Sequence, residues 1–144
     1  MGVKFTVEEM NSYLAEVFPQ VQDDFRVEEL TETGCVMRLM VQDRHLRPGG
    51  TVSGPSMFGL ADVAAYVATM GMVGKEALAV TTGCSMDFMR KPAAGVDLIA
   101  RASLLKLGKT LSVTDILIYS EGMDQPVARS TMTYSIPPAG KGAL

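Results

Sequence analysis

The chain changes its hydrophobic period more than once. Thr6-Val7-Glu8-Glu9 forms a capping box, in which Thr6 accepts from the backbone N–H three residues on and Glu9 reaches back. Met10, Tyr13, Leu14, Val17 and Phe18 follow at helical spacing until Pro19 stops the run, so a short amphipathic helix is expected over about 6–18. From Phe25 the period becomes two. Phe25–Glu32 and Gly34–Val41 read as paired strands joined at Thr31–Gly34. A polar loop from Asp43 to Thr51 leads into a run, Gly54–Gly74, that is apolar on every side. Ser53 or Gly54 is its expected cap, with Pro55 tolerated in the first turn. Four more strand-like segments follow between turn residues: Leu78–Met89, Val96–Leu107, Leu111–Ser120 and Pro126–Ile136. In the first, Val80, Thr82, Cys84, Met86 and Phe88 are expected on one face, and Thr81, Gly83, Ser85 and Asp87 on the other. The tail, 139–144, is expected to fray.

Consecutive strands with tight turns make an antiparallel sheet, whose apolar face needs cover. The 54–74 run is the one element apolar enough to be enclosed. The expected class is therefore α+β, a curved antiparallel sheet wrapped around one long central helix. Without repeats or linkers, the 144 residues read as one domain, 1–144, with its core over about 22–136.

Inside the apolar helix stands one charged residue, Asp62. A carboxylate there is costly unless it is paired, hydrogen-bonded or used, and such a group is where a general base or nucleophile would be found. The plainer reading is an Asp that caps a neighbouring loop or sits at the helix edge. Tyr66 and Phe58 share its helix face by spacing, and the Tyr66 hydroxyl is a candidate donor to it.

The bulk numbers narrow the function classes. Hydrophobic residues make up 47% and charged ones 20%, the balance of a globular protein. A net charge of −3 and a pI near 5.1 argue against a general nucleic-acid binder. Local basic clusters (Arg44 and Arg47; Arg90 and Lys91; Lys106 and Lys109) are solvated turns or holds for a small phosphorylated ligand. Cys35 and Cys84 make no disulfide framework, and no spacing suits a metal. The 54–74 run approaches membrane-spanning length, but Asp62 at its centre and the strand-rich chain after it argue against a membrane span. The N-terminal Met-Gly-Val-Lys-Phe-Thr has no apolar signal core, so the expected location is cytoplasmic, with reduced thiols. Cys84 is expected to be a buried core thiol.

The order of elements, and the segment His45-Leu46-Arg47-Pro48-Gly49-Gly50-Thr51-Val52-Ser53-Gly54-Pro55 followed by Leu60-Ala61-Asp62, resemble the hotdog-fold thioesterases of the phenylacetate-degradation PaaI type. Asp87-Phe88-Met89-Arg90-Lys91-Pro92-Ala93 and Leu104-Leu105-Lys106-Leu107-Gly108-Lys109-Thr110 resemble that family's strand end and next hairpin. The resemblance implies a hotdog fold, an acyl-CoA substrate and no cofactor apart from the coenzyme A of the substrate. It gives Asp62 the place of the catalytic carboxylate, acting as base for water or as nucleophile. Gly54 takes the place of the glycine whose N–H holds the thioester oxygen, as suits a helix N-terminus. Gly50 matches the loop glycine. Thr81 or Thr82 falls at the Ser/Thr that positions water, which the family takes from the partner subunit. Lys106 and Lys109 could contact coenzyme A phosphates.

Two positions depart from the motif, whose Asn is Arg47 here and whose His is Ser53. Arg47 could polarise the carbonyl or hold an anion; Ser53 could cap the helix or hold water. These departures leave open a non-catalytic protein that binds acyl-CoA or a small acid in the same cleft. The family's dimer, with sites between subunits, agrees with a sheet that leaves edge strands uncovered, so a dimer or dimer of dimers is expected. A third reading, a hydratase, would use His45, the sole histidine, as base. Gly108-Lys109-Thr110 resembles the end of a phosphate loop, but Ser103 stands where its first glycine is required, so a hairpin turn is expected.

Overall fold

A computed structural model describes residues 2–138; the expected fraying of 139–144 lies outside the described residues. The elements run α1 (Val7–Val17), β1 (Phe25–Thr31), β2 (Gly34–Leu39), α2 (Gly54–Val73), β3 (Val80–Phe88), β4 (Leu98–Leu107), β5 (Leu111–Ser120) and β6 (Pro126–Ser135). The six strands form one antiparallel sheet in the order β1-β2-β4-β5-β6-β3. It curves around α2, and this is the hotdog fold.

The capping box forms as read: Glu9 N–H donates to Thr6 Oγ1 at 3.1 Å and Thr6 N–H to Glu9 Oε1 at 2.8 Å. One face of α1 buries Met10, Tyr13 and Leu14. Its Asn11 completes β1 at Val27, accepting from the N–H at 2.9 Å and donating to the carbonyl at 3.1 Å. The side-chain amide thus stands in for a neighbouring strand at that point of the sheet edge.

α2 is buried over most of its surface because the sheet wraps it. Its alanines (Ala61, Ala64, Ala65, Ala68) let the strands approach, while Leu60, Val67 and Met70 fill the space beneath Met37, Leu98, Ile116, Ile118 and Met132. Each of these larger side chains stabilises the fold by about 1.5–3 kcal/mol relative to exposure. The helix is long and apolar enough to cross a membrane by composition, yet 72% of that stretch is buried within the protein. Two buried hydroxyls, Thr69 and Ser112, satisfy one another at 2.6 Å. At Gly34 the close approach of β4 leaves no room for a side chain, since a Cβ would fall 1.9 Å from the Ala102 carbonyl oxygen.

β3 is one of the two edge strands and pairs with β6 alone. It is largely exposed, with Val80 and Phe88 more than half accessible. Cys84 is therefore exposed rather than a core thiol. Cys35 is the buried one: burial pushes its thiol up to about 12 and its sulfur donates to the Ala64 carbonyl at 3.3 Å.

Candidate active site

The expected alternation along β3 is broken by a bulge between Thr81 and Gly83. Thr81 pairs with Tyr134, Cys84 with Met132, Met86 with Ser130 and Phe88 with Ala128. Directly opposed residues share a face. Thr81 therefore shares the inner face with Cys84, Met86 and Phe88, opposite to the simple alternation, because one extra residue at Thr82 shifts the pleat. Thr82 is turned away, and its exposed hydroxyl donates at 3.4 Å to the Thr133 carbonyl.

This shift delivers Thr81 to Asp62. Thr81 Oγ1 donates to Asp62 Oδ1 at 2.5 Å, and the Tyr134 hydroxyl donates to the same oxygen at 2.8 Å and lies 3.0 Å from the Asp62 carbonyl. Asp62 Oδ2 takes no hydrogen bond among the described residues and is not among the buried atoms left unpartnered, so it opens onto solvent-accessible space. Asp62 lines a cavity of about 330 Å³ together with Tyr66, Val80, Thr81 and Tyr134, with Val17 and Phe18 from the end of α1.

Tyr66 lines the cavity but does not donate to Asp62. Its hydroxyl is held by the Ala77 carbonyl at 2.7 Å, so the tyrosine donor is Tyr134. Burial, reinforced by the Asp62 charge, pushes the Tyr134 phenol well above the usual tyrosine range, and burial pushes Tyr66 up to about 12. Both are neutral donors at any working pH. Tyr134 escaped the sequence reading. The inward alternation Ala128, Ser130, Met132, Tyr134 marks its face, but only the cross-strand register shows what lies opposite.

The other expected residues gather at the start of α2. Arg47 to Thr51 is a tight turn closed by Arg47 N–H to the Thr51 carbonyl at 2.9 Å and Gly50 N–H to the Arg47 carbonyl at 3.0 Å. Gly50 has φ +86°, which favours glycine. Ser53 is the helix cap, accepting from Ser56 N–H at 3.3 Å and donating to Ser56 Oγ at 3.0 Å. Ser56 and Met57 N–H are satisfied by Ser53, and Pro55 has none, which leaves the Gly54 N–H without a partner among the described residues. It borders a second cleft, about 460 Å³, lined by Arg47, Met57, Phe88, Arg90 and Lys91.

His45 is not a base. It is buried, its Nδ1 accepts from the Gln42 N–H at 2.9 Å, and its Nε2 faces Asp24 Oδ1 at 3.2 Å, off the hydrogen-bond direction. Its backbone carbonyl accepts from Ser53 N–H at 2.8 Å, so it fastens the loop that aims α2. Lys106 is exposed near the end of β4, and Lys109 in the turn that follows. That turn abuts the end of β6, where the Ile136 N–H meets the Thr110 carbonyl at 2.8 Å, but neither lysine lines the Asp62 cavity. No group of three His, Cys, Asp or Glu that could hold a metal is found among the described residues.

Gly54 and Asp62 do not meet within one chain. Eight residues of helix separate them by about 12 Å, and their two cavities share no residue. Thr81, in contrast, reaches the Asp62 of its own chain.

The sequence model described as the thioesterase superfamily matches residues 49–127. A candidate thioesterase of Silicibacter sp. TM1040 is 61% identical, each chain covering 94% of the other, with a TM-score of 0.89. The phenylacetic acid degradation protein PaaI of Thermus thermophilus, solved as a point mutant, is 29% identical over 83% of this chain and 99% of its own, with a TM-score of 0.71. A Streptococcus mutans protein solved with acetyl CoA shares the fold at 20% identity, over 80% of this chain and 90% of its own, with a TM-score of 0.70. No curated protein matches the chain. With the motif at the head of α2 inside the matched segment and the same sheet around the same helix, the chain belongs to the thioesterase superfamily.

Proposed function

We propose that this protein hydrolyses acyl-CoA thioesters, with Asp62 as the base, at a site built by two copies of the chain. The observation that carries the reading is the Asp62 carboxylate, fixed through one oxygen by two neutral hydroxyls while the residue lines a largely apolar cavity. A group so placed takes a proton from water or attacks directly. The cavity suits an acyl or aryl chain, and a protein of the same fold that holds acetyl CoA supports the ligand class.

Geometry supports the second copy. Thr81 touches Asp62, and Phe88 lies over Gly54, its Cζ 3.4 Å from where a Cβ would stand. Pairing β3 antiparallel with β3 of a second copy, centred near Cys84 and Ser85, sets Thr81 of one against Phe88 of the other. The Asp62 cavity of one copy then faces the Gly54 N–H of the next. The same pairing covers the exposed edge strand. Arg47, Arg90 and Lys91 would rim the entrance from one side and Lys106 and Lys109 from the other, where the coenzyme A phosphates must lie.

In the step itself, water attacks the thioester carbon as Asp62 Oδ2 takes its proton. The carbonyl becomes an oxyanion held by the Gly54 N–H. Collapse breaks the C–S bond, the thiolate leaves, and the proton on Asp62 passes to it, giving free acid and coenzyme A. Thr81 donates to Asp62 and so orients the carboxylate.

Thioester cleavage across a panel of aliphatic and aryl acyl-CoAs, for wild type and Asp62→Asn, tests this. It is best followed at the thioester absorbance, because the chain carries free cysteines that could react with a thiol reagent. Turnover that vanishes in Asp62→Asn is expected. Saturable acyl-CoA binding without turnover would instead favour the binding-protein reading, to which Ser53, its hydroxyl spent on Ser56 and so not free to orient substrate, lends support.

A further inference from the structure

Asp62 has two oxygens with different surroundings. Thr81 and Tyr134, an opposed pair on β3 and β6, both donate to Oδ1, at 2.5 and 2.8 Å. Neither touches Oδ2. The single phenolic proton of Tyr134 is shared between Oδ1 and the Asp62 carbonyl, so one hydroxyl grips both the side chain and the backbone of the same residue. The grip is firm at its other end. Tyr134 is 4% exposed, its ring lies 5.9 Å from that of Tyr66, and its strand is flanked by β5 and β3. Hydrogen bonds to a charged acceptor are among the stronger ones, and two on one oxygen set both χ angles of an Asp.

We infer that Tyr134 is a positioning residue for thioester hydrolysis: with Thr81 it holds Oδ1, and so assigns Oδ2 alone to the reacting water. This rests on the reading of Asp62 as the base. A carboxylate free to rotate would present either oxygen, at varying distance, to a water that must be met within hydrogen-bond reach. A held one presents a single oxygen in one direction. The order of the reaction is unchanged by Tyr134; what it supplies is the alignment, which is worth most in the step where the proton moves. Substrate binding is left largely to the apolar lining and to the phosphate contacts.

The test compares Tyr134→Phe, Thr81→Val, Thr81→Ser and Asp62→Asn with wild type, on whichever acyl-CoA wild type cleaves fastest. Tyr134→Phe keeps the ring and removes only the hydroxyl. Its kcat is expected to fall about 10- to 100-fold with KM within about twofold of wild type. Thr81→Val should behave likewise, and Thr81→Ser, which keeps a hydroxyl, should recover most of the rate. Thermal unfolding of each variant identifies the temperature at which all are folded, and the kinetics are read there. Full kcat in Tyr134→Phe, with Asp62→Asn inactive, overturns the inference and leaves the base reading standing. A raised KM with unchanged kcat also overturns it, because the hydroxyl would then be a substrate contact. Turnover that survives in Asp62→Asn, or no turnover of any acyl-CoA by wild type, defeats the base reading and the inference with it.

Discussion

If the catalytic groups come from two chains, two inactive variants should repair one another. On one helix Gly54 and Asp62 stand about 12 Å apart, whereas an oxyanion donor and an attacking water both need to lie about 3 Å from the same carbonyl. Gly54→Pro removes the N–H and little else. Ser53 is already extended at φ −76° and ψ 157°, as a residue before proline must be, and proline is welcome at the first helical position. The nearest atom to a Cβ placed there is Phe88 Cζ at 3.4 Å, a van der Waals contact. Losing one oxyanion donor costs about 100- to 1,000-fold in kcat. Asp62→Asn removes the base. Mixed in equal amounts and allowed to exchange subunits, the two variants form mixed dimers as half of the population. Each mixed dimer carries one site with both defects and one with none, so activity should recover to about a quarter of wild type per chain. The assay is acyl-CoA turnover after co-refolding, with different tags on the two chains to count mixed dimers. Mixed dimers present at the expected fraction, with activity no higher than the two variants assayed apart, would refute the shared site.

Three further outcomes follow from other parts of the fold. Phe18→Ala opens the end of the Asp62 cavity formed by α1, and should move selectivity toward longer acyl chains by about fourfold in kcat/KM per added methylene, read across a homologous acyl-CoA series. Gly34→Ala sets a methyl against the Ala102 carbonyl, backbone that cannot turn aside, and should cost about 1–3 kcal/mol, seen as a melting temperature lower by about 3–10 °C. The hydrogen bond from Arg38 holds the Glu28 carboxyl below the usual carboxylate range. A depressed carboxylate contributes stability above its unfolded value, near pH 4.3, and loses it as pH falls through the lower folded one. Denaturant midpoints should thus drop more steeply between pH 5 and pH 3 in wild type than in Arg38→Met; equal slopes would show that the pair contributes nothing.

The layers of the fold were legible because each rests on a local pattern. The capping box at Thr6, the two-residue period after Phe25 and the apolar girth of α2 all point to the same arrangement, and the family motif marked Asp62 and Gly54 within it. The site's inner contacts were less legible because they depend on register between distant strands. Within 78–89 only Gly83 hints at a bulge, without saying which side chain it turns, and nothing near Tyr134 says that it will face Thr81. Cys84 was misplaced for a related reason. An edge strand and an interior strand alternate alike, and only the sheet order shows that β3 has one neighbour. His45 is legible in neither way, since its Nε2 faces Asp24 from a segment distant in the sequence.

The extra residue in β3 also bears on how this strand can change over time. A bulge is a shift of phase: Val80 and Thr81 follow one parity and Cys84 to Phe88 the other. Deleting Thr82 would remove the extra residue itself, and Thr81 would keep its inward place opposite Tyr134 in simple alternation with Gly83 and Cys84. Straightening the bulge with Thr82 kept would instead turn the Thr81 side chain outside and bring Thr82, also a hydroxyl, to the inner face. Among chains of this kind, a β3 without the bulge should therefore carry its inward hydroxyl two positions before the residue matching Cys84 rather than three, and an ungapped alignment would set that hydroxyl against Thr82 instead of Thr81.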